Sequence, residues 1–206
     1  MIAVINYGMG NLRSVINAFE AIGVRAFVAN HPQELEEAEK IVLPGVGAFG
    51  DGMQNLREAG WVEALNYEVR RNGKLFLGIC LGMQLLAAIG TEHGEHEGLN
   101  FVAGKSILID TDGNENLRIP HIGWNDVAFA PDSRLYAGMK TPQAFYFVHS
   151  FVLAPENNSL ISGVCNHGAD FAASVEDGNV LAVQFHPEKS HKAGIALLKN
   201  FADLKA

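Results

Sequence analysis

Cys80 is the strongest candidate for a nucleophile in this sequence. It ends the apolar run Leu75–Ile79, lies between Gly78 and Gly82, and precedes good helix formers from Leu81 onward. A strand, a sharp turn and a helix would hold the cysteine on strained backbone, where flanking glycines avoid clashes and the helix N-terminus favours thiolate. An isolated G-x-C-x-G is also found around buried, inert cysteines, so whether Cys80 is reactive must be judged from other segments of the sequence.

His186 and Glu188 are the groups that a cysteine nucleophile requires. They follow the apolar run Val180–Val183. A histidine can remove the thiol proton, and a carboxylate two positions on can orient the ring and stabilise the imidazolium. H-P-E alone is typical of a surface turn. Beside a cysteine that also ends a strand it predicts a Cys80–His186–Glu188 triad, because parallel strands end at one edge of a sheet.

The segment P-G-V-G, at 44–47, is a candidate oxyanion hole. Its glycines free backbone N–H groups to point inward. We expect the N–H groups at Val46, Gly47 and Leu81 to face a developing negative charge. An ordinary Pro-Gly turn remains the alternative.

Three other histidines have polar neighbours. His149 and Ser150 end a strand-like run and predict substrate contacts, although a strand with one polar end fits equally well. His93 and His96 lie three apart, but no cysteine or third ligand is near them in sequence. We therefore expect a solvated loop there and no metal site.

The elements that would position these residues alternate between strand and helix in the first half of the chain. Apolar runs predict strands at Met1–Asn6, Val24–Ala29, Ile41–Leu43 and Leu75–Ile79. Helical spacing predicts helices at Asn11–Ile22, Asp51–Arg71 (interrupted at Gly60) and from Leu81 onward. This order is typical of a parallel sheet covered on both faces.

Shorter strand-like runs dominate the second half. They predict added antiparallel strands and a return to the central sheet, at Lys105–Ile109, Ala144–Val152, Ser159–Val164, Phe171–Val175 and Val180–Phe185. A closing helix is expected over Ser190–Leu204, with Ser190 as its N-cap. We expect one α/β domain over residues 1–206, with a mostly parallel central sheet, helices on both faces and added antiparallel strands.

Composition excludes several classes of protein. The chain has 206 residues, of which 48% are hydrophobic and 18% charged, as in a globular domain. Its net charge is −8 and it has no dense Lys/Arg cluster, so we expect no nucleic-acid partner. No apolar run approaches 18 residues, and no signal peptide is apparent. We expect a cytoplasmic protein in which Cys80 and Cys165 are reduced thiols.

Taken together, G-I-C-L-G-M-Q, P-G-V-G and H-P-E resemble the motifs of class I glutamine amidotransferases, the triad glutaminases. N-Y-G-M-G-N-L-R-S-V, P-H-I-G-W-N, Y-F-V-H-S-F and V-Q-F-H-P-E-K-S are similar to the glutaminase subunits of imidazole glycerol phosphate synthases, in histidine biosynthesis. These matches extend from residue 2 to residue 190. The resemblance implies a flavodoxin-like layering of helices on a sheet.

The resemblance also implies the reaction. Cys80 attacks the side-chain carboxamide of glutamine, His186 passes a proton to leaving ammonia, and water hydrolyses the glutamyl thioester. The implied substrate contacts are Gly47, Gln84 and the backbone of His149, Ser150 and Phe151. Neither a metal nor an organic cofactor is implied.

A partner is implied as well. In this family, ammonia passes to a (β/α)₈-barrel cyclase that makes imidazole glycerol phosphate and an aminoimidazole carboxamide ribonucleotide. A closed route is physically necessary, since free ammonia in neutral water becomes mostly unreactive ammonium. The implied interface residues are Asn11, Arg13, Trp124 and Lys189, although Trp124 fits a core position about as well.

Some residues depart from the family pattern and keep other functions open. His167 occupies a position where tyrosine is expected, and Leu75 one where proline is frequent. A paralogue that supplies ammonia to a different acceptor, as in sugar amidation, therefore remains an alternative. An intact triad disfavours a non-catalytic binding subunit, and Gln84 with P-G-V-G disfavours a cysteine peptidase.

Overall fold

The computed structural model describes residues 1–114 and 116–205. The strands are β1 (Ile2–Ile5), β2 (Ala26–Ala29), β3 (Lys40–Gly45), β4 (Leu75–Cys80), β5 (Ile89–Gly90), β6 (His96–Glu97), β7 (Gly104–Leu108), β8 (His121–Phe129), β9 (Gln143–His149), β10 (Phe151–Pro155), β11 (Ile161–His167), β12 (Ala169–Asp177) and β13 (Val180–Val183). The α-helices are α1 (Leu12–Glu20), α2 (Phe49–Glu58), α3 (Trp61–Leu65), α4 (Leu81–Gln84) and α5 (His191–Asp203). Tighter 3₁₀ turns lie at Pro32–Glu37, Asn158–Leu160 and Pro187–Lys189, and a π-helical turn lies at Asn66–Arg71.

A nine-stranded mixed sheet forms the centre, in the order β2-β1-β3-β4-β13-β12-β11-β8-β9. The strands from β2 to β13 pair in parallel, and those from β13 to β9 pair antiparallel. A four-stranded sheet, β10-β7-β5-β6, lies beside it. The predicted α/β architecture, with a mostly parallel central sheet, added antiparallel strands and a return to that sheet, is confirmed: five of the nine strands form the parallel part.

Helices cover both faces, because successive strand residues point to opposite sides. Ala3 and Ile5 pack with α2, α3 and α4 in one core, and Ile2 and Val4 pack with α1 and α5 in the other. The predicted break at Gly60 is confirmed, since this residue has a left-handed φ of 74° between α2 and α3.

The predicted end of the third strand at Pro44 is wrong. β3 continues through Pro44, which pairs with Ile79, to Gly45, which pairs with Cys80. Proline is tolerated because β1 pairs with β3 only as far as Val42. Beyond that residue β3 is paired on one side, so the missing N–H of Pro44 leaves no ladder position empty.

The helix predicted from Leu81 onward is shorter than expected. It ends at Gln84, because the carbonyls of Leu85 and Leu86 accept hydrogen bonds from Leu99 and Phe101 rather than from later helical residues, at 2.8 and 2.9 Å. Tertiary pairing here overrides high helix propensity.

Two predictions for the second half are also corrected. The single strand expected over Ala144–Val152 is two strands, β9 in the large sheet and β10 in the small one, and the chain changes sheet at Ser150. The nine-residue strand β8 was not predicted. Two of its outward residues, Ile122 and Trp124, are large exposed apolar side chains that obscure the alternation.

Within residues 1–114 and 116–205, the helices are all too short or too polar to cross a bilayer. Over the same ranges, no three His, Cys, Asp or Glu side chains are grouped as metal ligands would be. His96 instead packs against Gly50, where an added Cβ would approach the imidazole to 2.8 Å.

Candidate active site

The turn at Cys80 has the strained geometry that its neighbours predict. Cys80 has φ 54° and ψ −110°, a conformation that is costly for a residue with a side chain. A Cβ on Gly78 would come within 2.6 Å of the Gly82 carbonyl oxygen, and a Cβ on Gly82 would overlap the carbonyl of Leu43. Both glycines are therefore required for strand, turn and helix to close around the cysteine.

Neighbouring parallel strands bring the other candidates to Cys80. Gly45 at the end of β3 is the register partner of Cys80, so the P-G-V-G segment begins beside it. On the other side, Val183 at the end of β13 pairs with Ile79. The residues after β13, which include His186, therefore emerge next to the thiol.

His186 and Glu188 form a buried pair. Their side chains are 3% and 2% exposed, and Nδ1 of His186 lies 2.8 Å from Oε1 of Glu188. Burial by itself lowers the pKa of His186, but Cys80 and Glu188 together raise it to about 10. Among the described residues, Nε2 of His186 has no hydrogen-bond partner. An imidazolium with a free Nε2 donor beside a sulfur nucleophile can deliver a proton to a leaving group.

The main chain of His186 is held by β9 and α5. Its N–H donates to the Tyr146 carbonyl at 2.9 Å. The Ser190 hydroxyl donates to the His186 carbonyl at 2.6 Å and accepts from the Tyr146 N–H at 3.0 Å. Ser190 is the N-cap residue of α5 as predicted, but its hydroxyl makes no capping bond and fixes His186 instead.

Gln184 is a contact of Cys80 that the sequence analysis missed. Its side chain is fully buried and donates through Nε2 toward Sγ of Cys80 at 3.8 Å. Its Oε1 accepts from Nε2 of Gln84 at 3.4 Å. In the sequence, this contact is indicated only by a single amide side chain directly after the apolar run Val180–Val183.

A cavity of about 400 Å³ opens at Cys80. The residues predicted for the oxyanion hole and substrate contacts all line it: Val46, Gly47, Leu81, Gln84, His149, Ser150 and Phe151. The volume suits an amino acid. Glu92, which was not predicted, also lines the cavity, and its Oε2 accepts from the Phe49 N–H at 2.8 Å. It places a carboxylate in a wall otherwise formed by uncharged groups.

The side chain of His149 is buried rather than directed at a substrate. It is 5% exposed, and Nδ1 lies 3.0 Å from the Phe151 carbonyl. The same carbonyl accepts from Nε2 of Gln84 at 2.8 Å. His149 lines the cavity, but its ring is committed to buried hydrogen bonds.

Tyr7 forms a wall behind the P-G-V-G segment. Its hydroxyl is buried, packs against Gly45 and has no hydrogen-bond partner among the described residues. Burial, with a contribution from Cys80, raises the pKa of Tyr7 well above its usual range. The phenol therefore stays neutral beside the nucleophile.

The residues implied for a partner interface are exposed. Asn11 caps α1 by accepting from the Ser14 N–H at 3.3 Å, and Arg13 follows it. Trp124 is 49% exposed, so it is not a core residue, and it stacks on His191 with ring centroids 5.0 Å apart.

Lys189 and this tryptophan both lie near Tyr146. Its Nζ is 5.9 Å from the ring centroid of Tyr146, and the Tyr146 and Trp124 rings meet edge to face. Because α1 packs on the Pro187–Lys189 turn, the implied interface residues lie on neighbouring elements around the active-site edge.

Comparisons with known proteins agree with this geometry. The sequence model of the family described as Glutamine amidotransferase class-I matches residues 3–204. The chain is 45% identical over 207 residues to the imidazole glycerol phosphate synthase subunit HisH of Geobacter sulfurreducens, covering 99% of each chain. It is 48% identical over 199 residues to HisH of Aquifex aeolicus, covering 96% of this chain and 94% of that one. A crystal structure of a glutamine amidotransferase has the same fold, with a TM-score of 0.76 at 18% identity over 98% of this chain and 97% of that one. The chain therefore belongs to the class-I glutamine amidotransferase family.

Proposed function

We propose that this chain is the glutaminase subunit of an imidazole glycerol phosphate synthase. The observation that carries the proposal is the buried His186–Glu188 pair beside a strained cysteine, in a cavity that suits an amino acid. Full-length similarity to HisH subunits supports the choice of pathway. We assign residues 1–206 to a single catalytic domain.

Acylation begins at Cys80. Its thiolate attacks the side-chain carbonyl of glutamine, and the C–N bond breaks as Nε2 of His186 gives its proton to leaving ammonia. Glu188 stabilises the imidazolium before transfer and keeps the ring oriented afterwards. The product of this step is a glutamyl thioester on Cys80.

The oxyanion of the tetrahedral intermediate is held by backbone N–H groups. We assign this role to Leu81 at the start of α4 and to the Val46–Gly47 segment, because both border Cys80 and the cavity. Gly47 has a φ of 114°, a conformation that glycine adopts with little cost. The peptide before it can therefore turn its N–H toward the site or away from it.

Recognition of glutamine uses the other lining groups. Gln84 and the backbone of His149, Ser150 and Phe151 offer hydrogen bonds, and Glu92 offers a negative charge for the α-ammonium group. Deacylation then needs one water, which His186 activates as a base. Every group in this cycle is a side chain or backbone amide of the chain, so we assign no metal and no organic cofactor.

We propose that the ammonia passes to a (β/α)₈ cyclase subunit. This subunit would dock over the active-site edge and form a heterodimer with the chain. The exposed residues Trp124, Lys189, Asn11 and Arg13 surround that edge and are our candidates for the contact. Exposed aromatic residues and arginine, here Trp124 and Arg13, are enriched at interfaces. We place the reaction in the cytoplasm, where the free thiols of Cys80 and Cys165 would stay reduced.

The test is glutamate production from glutamine by the purified chain, alone and with the cyclase and its nucleotide ligand. We expect slow turnover alone and a large increase with the liganded partner. No glutamate under either condition would overturn the glutaminase assignment. Fast turnover alone that the cyclase leaves unchanged would overturn the pathway and favour a different ammonia acceptor.

A further inference from the structure

A chain of hydrogen-bonded side chains connects the exposed strand β8 to the glutamine cavity. Nδ2 of Asn125 lies 3.2 Å from Nε2 of His121, and Nδ1 of His121 lies 2.9 Å from Nε2 of His149. Nδ1 of His149 lies 3.0 Å from the carbonyl oxygen of Phe151. His121 and His149 are 4% and 5% exposed, so water does not compete for these bonds.

The groups at the two ends of this hydrogen-bonded series determine which ring nitrogens of His121 and His149 carry protons. The Phe151 carbonyl can only accept, so His149 must carry its proton on Nδ1 and accept at Nε2. His121 must then donate from Nδ1 and accept at Nε2, where the Asn125 amide donates. Burial, with neighbouring His121, lowers the pKa of His149 to about 3, and burial, with His167, lowers that of His121 to about 4. Both rings are therefore neutral near pH 7, as the pattern requires.

At the outer end of the hydrogen-bonded series, both the nitrogen and the oxygen of the Asn125 amide make hydrogen bonds. Nδ2 of Asn125 donates to the Asn166 carbonyl at 2.8 Å, and its Oδ1 accepts from the Asp126 N–H at 2.8 Å. The amide cannot flip without losing these bonds. The His121 ring lies between Phe147 and His167, at centroid distances of 4.9 and 4.2 Å, which holds its plane.

The inner end controls a substrate-facing group. The Phe151 carbonyl accepts from both His149 and Gln84, which occupies both of its lone pairs. The second N–H of the Gln84 amide points to Oε1 of Gln184. With both donors directed into the protein, Gln84 is left with its oxygen to present to the cavity that it lines.

We propose that Asn125, His121 and His149 are positioning residues, which hold the Phe151 carbonyl and the Gln84 amide so that Gln84 offers a hydrogen-bond acceptor to glutamine. The proposal rests on the proposed function, because it takes glutamine as the ligand. In this arrangement both ring nitrogens of His121 and of His149 take part in hydrogen bonds that orient Gln84. Gln84 then selects a ligand that donates a hydrogen bond to its side-chain oxygen. The three residues act through Gln84 and do not touch the substrate.

The direct test is ¹⁵N NMR of the histidine rings in the full chain. We expect His121 and His149 to be neutral and protonated on Nδ1 at pH 7, the tautomer that free histidine favours less. A proton on Nε2 of His149 would overturn the proposal. This measurement needs no turnover, so it stands even if the glutaminase assignment fails.

The functional test uses three variants in complex with the cyclase. His149→Phe removes both nitrogens, and we expect the KM for glutamine to rise about tenfold, the equivalent of one lost hydrogen bond, with a smaller change in kcat. His149→Asn restores a donor near Nδ1 and should recover most of the affinity. His167→Phe is the matched control, since it keeps a ring on His121 and removes only the bond to the Arg118 carbonyl.

Equal losses in His149→Phe and His149→Asn, or an unchanged KM in His149→Phe, would reject the positioning role. If His149→Phe does not fold, Asn125→Ala replaces it. That variant removes the half-buried outer end of the hydrogen-bonded chain, together with its bonds to the Asn166 carbonyl and the Asp126 N–H, and should raise KM in the same direction. An unchanged KM in Asn125→Ala would then reject the positioning role of this hydrogen-bonded chain.

Discussion

Gly82 lies so close to the carbonyl of Leu43 that a Cβ at this position would overlap the oxygen. This contact joins the first turn of α4 to β3, so it fixes the distance between the nucleophile turn and the oxyanion segment. Gly82→Ala should therefore destabilise the protein by at least about 2–3 kcal/mol, because backbone rather than a flexible side chain must move.

Urea unfolding of Gly82→Ala and Gly52→Ala measures this directly. In α2, a Cβ on Gly52 would meet only leucine methyl groups at 3.3 Å, and alanine gains about 1 kcal/mol of helix propensity. We expect the Gly52 variant to stay near wild type. Similar stabilities for the two variants would show that α4 can move away from β3 at low cost.

Cys80→Ala separates the chemistry of the cysteine from its place in the fold. In the complex with the proposed cyclase subunit, synthesis from glutamine should be lost, whereas synthesis from added ammonium salt should persist because the partner's site is intact. Product formation with each nitrogen source is the measurement. Loss of both activities would mean that Cys80 is structural or that the subunit is misassigned.

Glu188→Gln keeps the size of the side chain but removes the charge beside His186. We expect kcat to fall by about 10²–10⁴-fold with little change in KM, because imidazolium stabilisation matters in the transition state. The pKa of His186 should fall from its raised value, since Glu188 contributes to raising it. Steady-state kinetics and NMR titration of the ring test both points, and an unchanged kcat would remove Glu188 from the triad.

Glu92→Gln tests recognition of the α-ammonium group. The amide oxygen can still accept from the Phe49 N–H, so the variant changes charge more than structure. A charge-assisted hydrogen bond contributes about 1.5–3 kcal/mol, so KM for glutamine should rise about 10- to 100-fold. Glu95→Gln, in the same loop but exposed, is the control. Equal KM values in the two variants would contradict the role of Glu92.

The neutral histidines predict a loss of stability in acid. Their pKa values in the fold are about 3 for His149 and about 4 for His121, against about 6.5 for unfolded histidine. The unfolded chain therefore binds more protons below pH 6.5, and the stability that these groups contribute above pH 6.5 is lost as pH falls toward 4. Unfolding free energies at pH 7, 6 and 5 should fall less steeply in His121→Phe than in wild type. Parallel curves would contradict this assignment.

Features with a local cause could be predicted from the sequence. The strained turn at Cys80 and the break at Gly60 both follow from glycines beside regular apolar patterns. His186 and Glu188 could be predicted because one short segment contains the end of a strand, a proline, and a histidine and a glutamate two positions apart.

Features that depend on the meeting of distant segments could not be predicted. Gln184 lies within the V-Q-F-H-P-E-K-S motif, but its contact with Cys80 depends on the pairing of β13 with β4, and Glu92 reaches the cavity from a loop that no local motif marks. The strand around His121 was missed because Ile122 and Trp124 face outward while His121 and Asn125 face inward, which reverses the usual alternation of apolar and polar residues. The hydrogen bonds of His149 required the register of β8 and β9, in which His121 and His149 are direct partners.

The change of sheet at Ser150 has a consequence for how this enzyme would evolve. One wall of the glutamine cavity belongs to the large sheet and another to the small sheet, and the two are joined at this point by a single residue. The width of the cavity therefore depends on how the two sheets pack. Substitutions in the hydrophobic layer between them, at Leu153 or Phe101 for example, can tune substrate affinity without touching substrate.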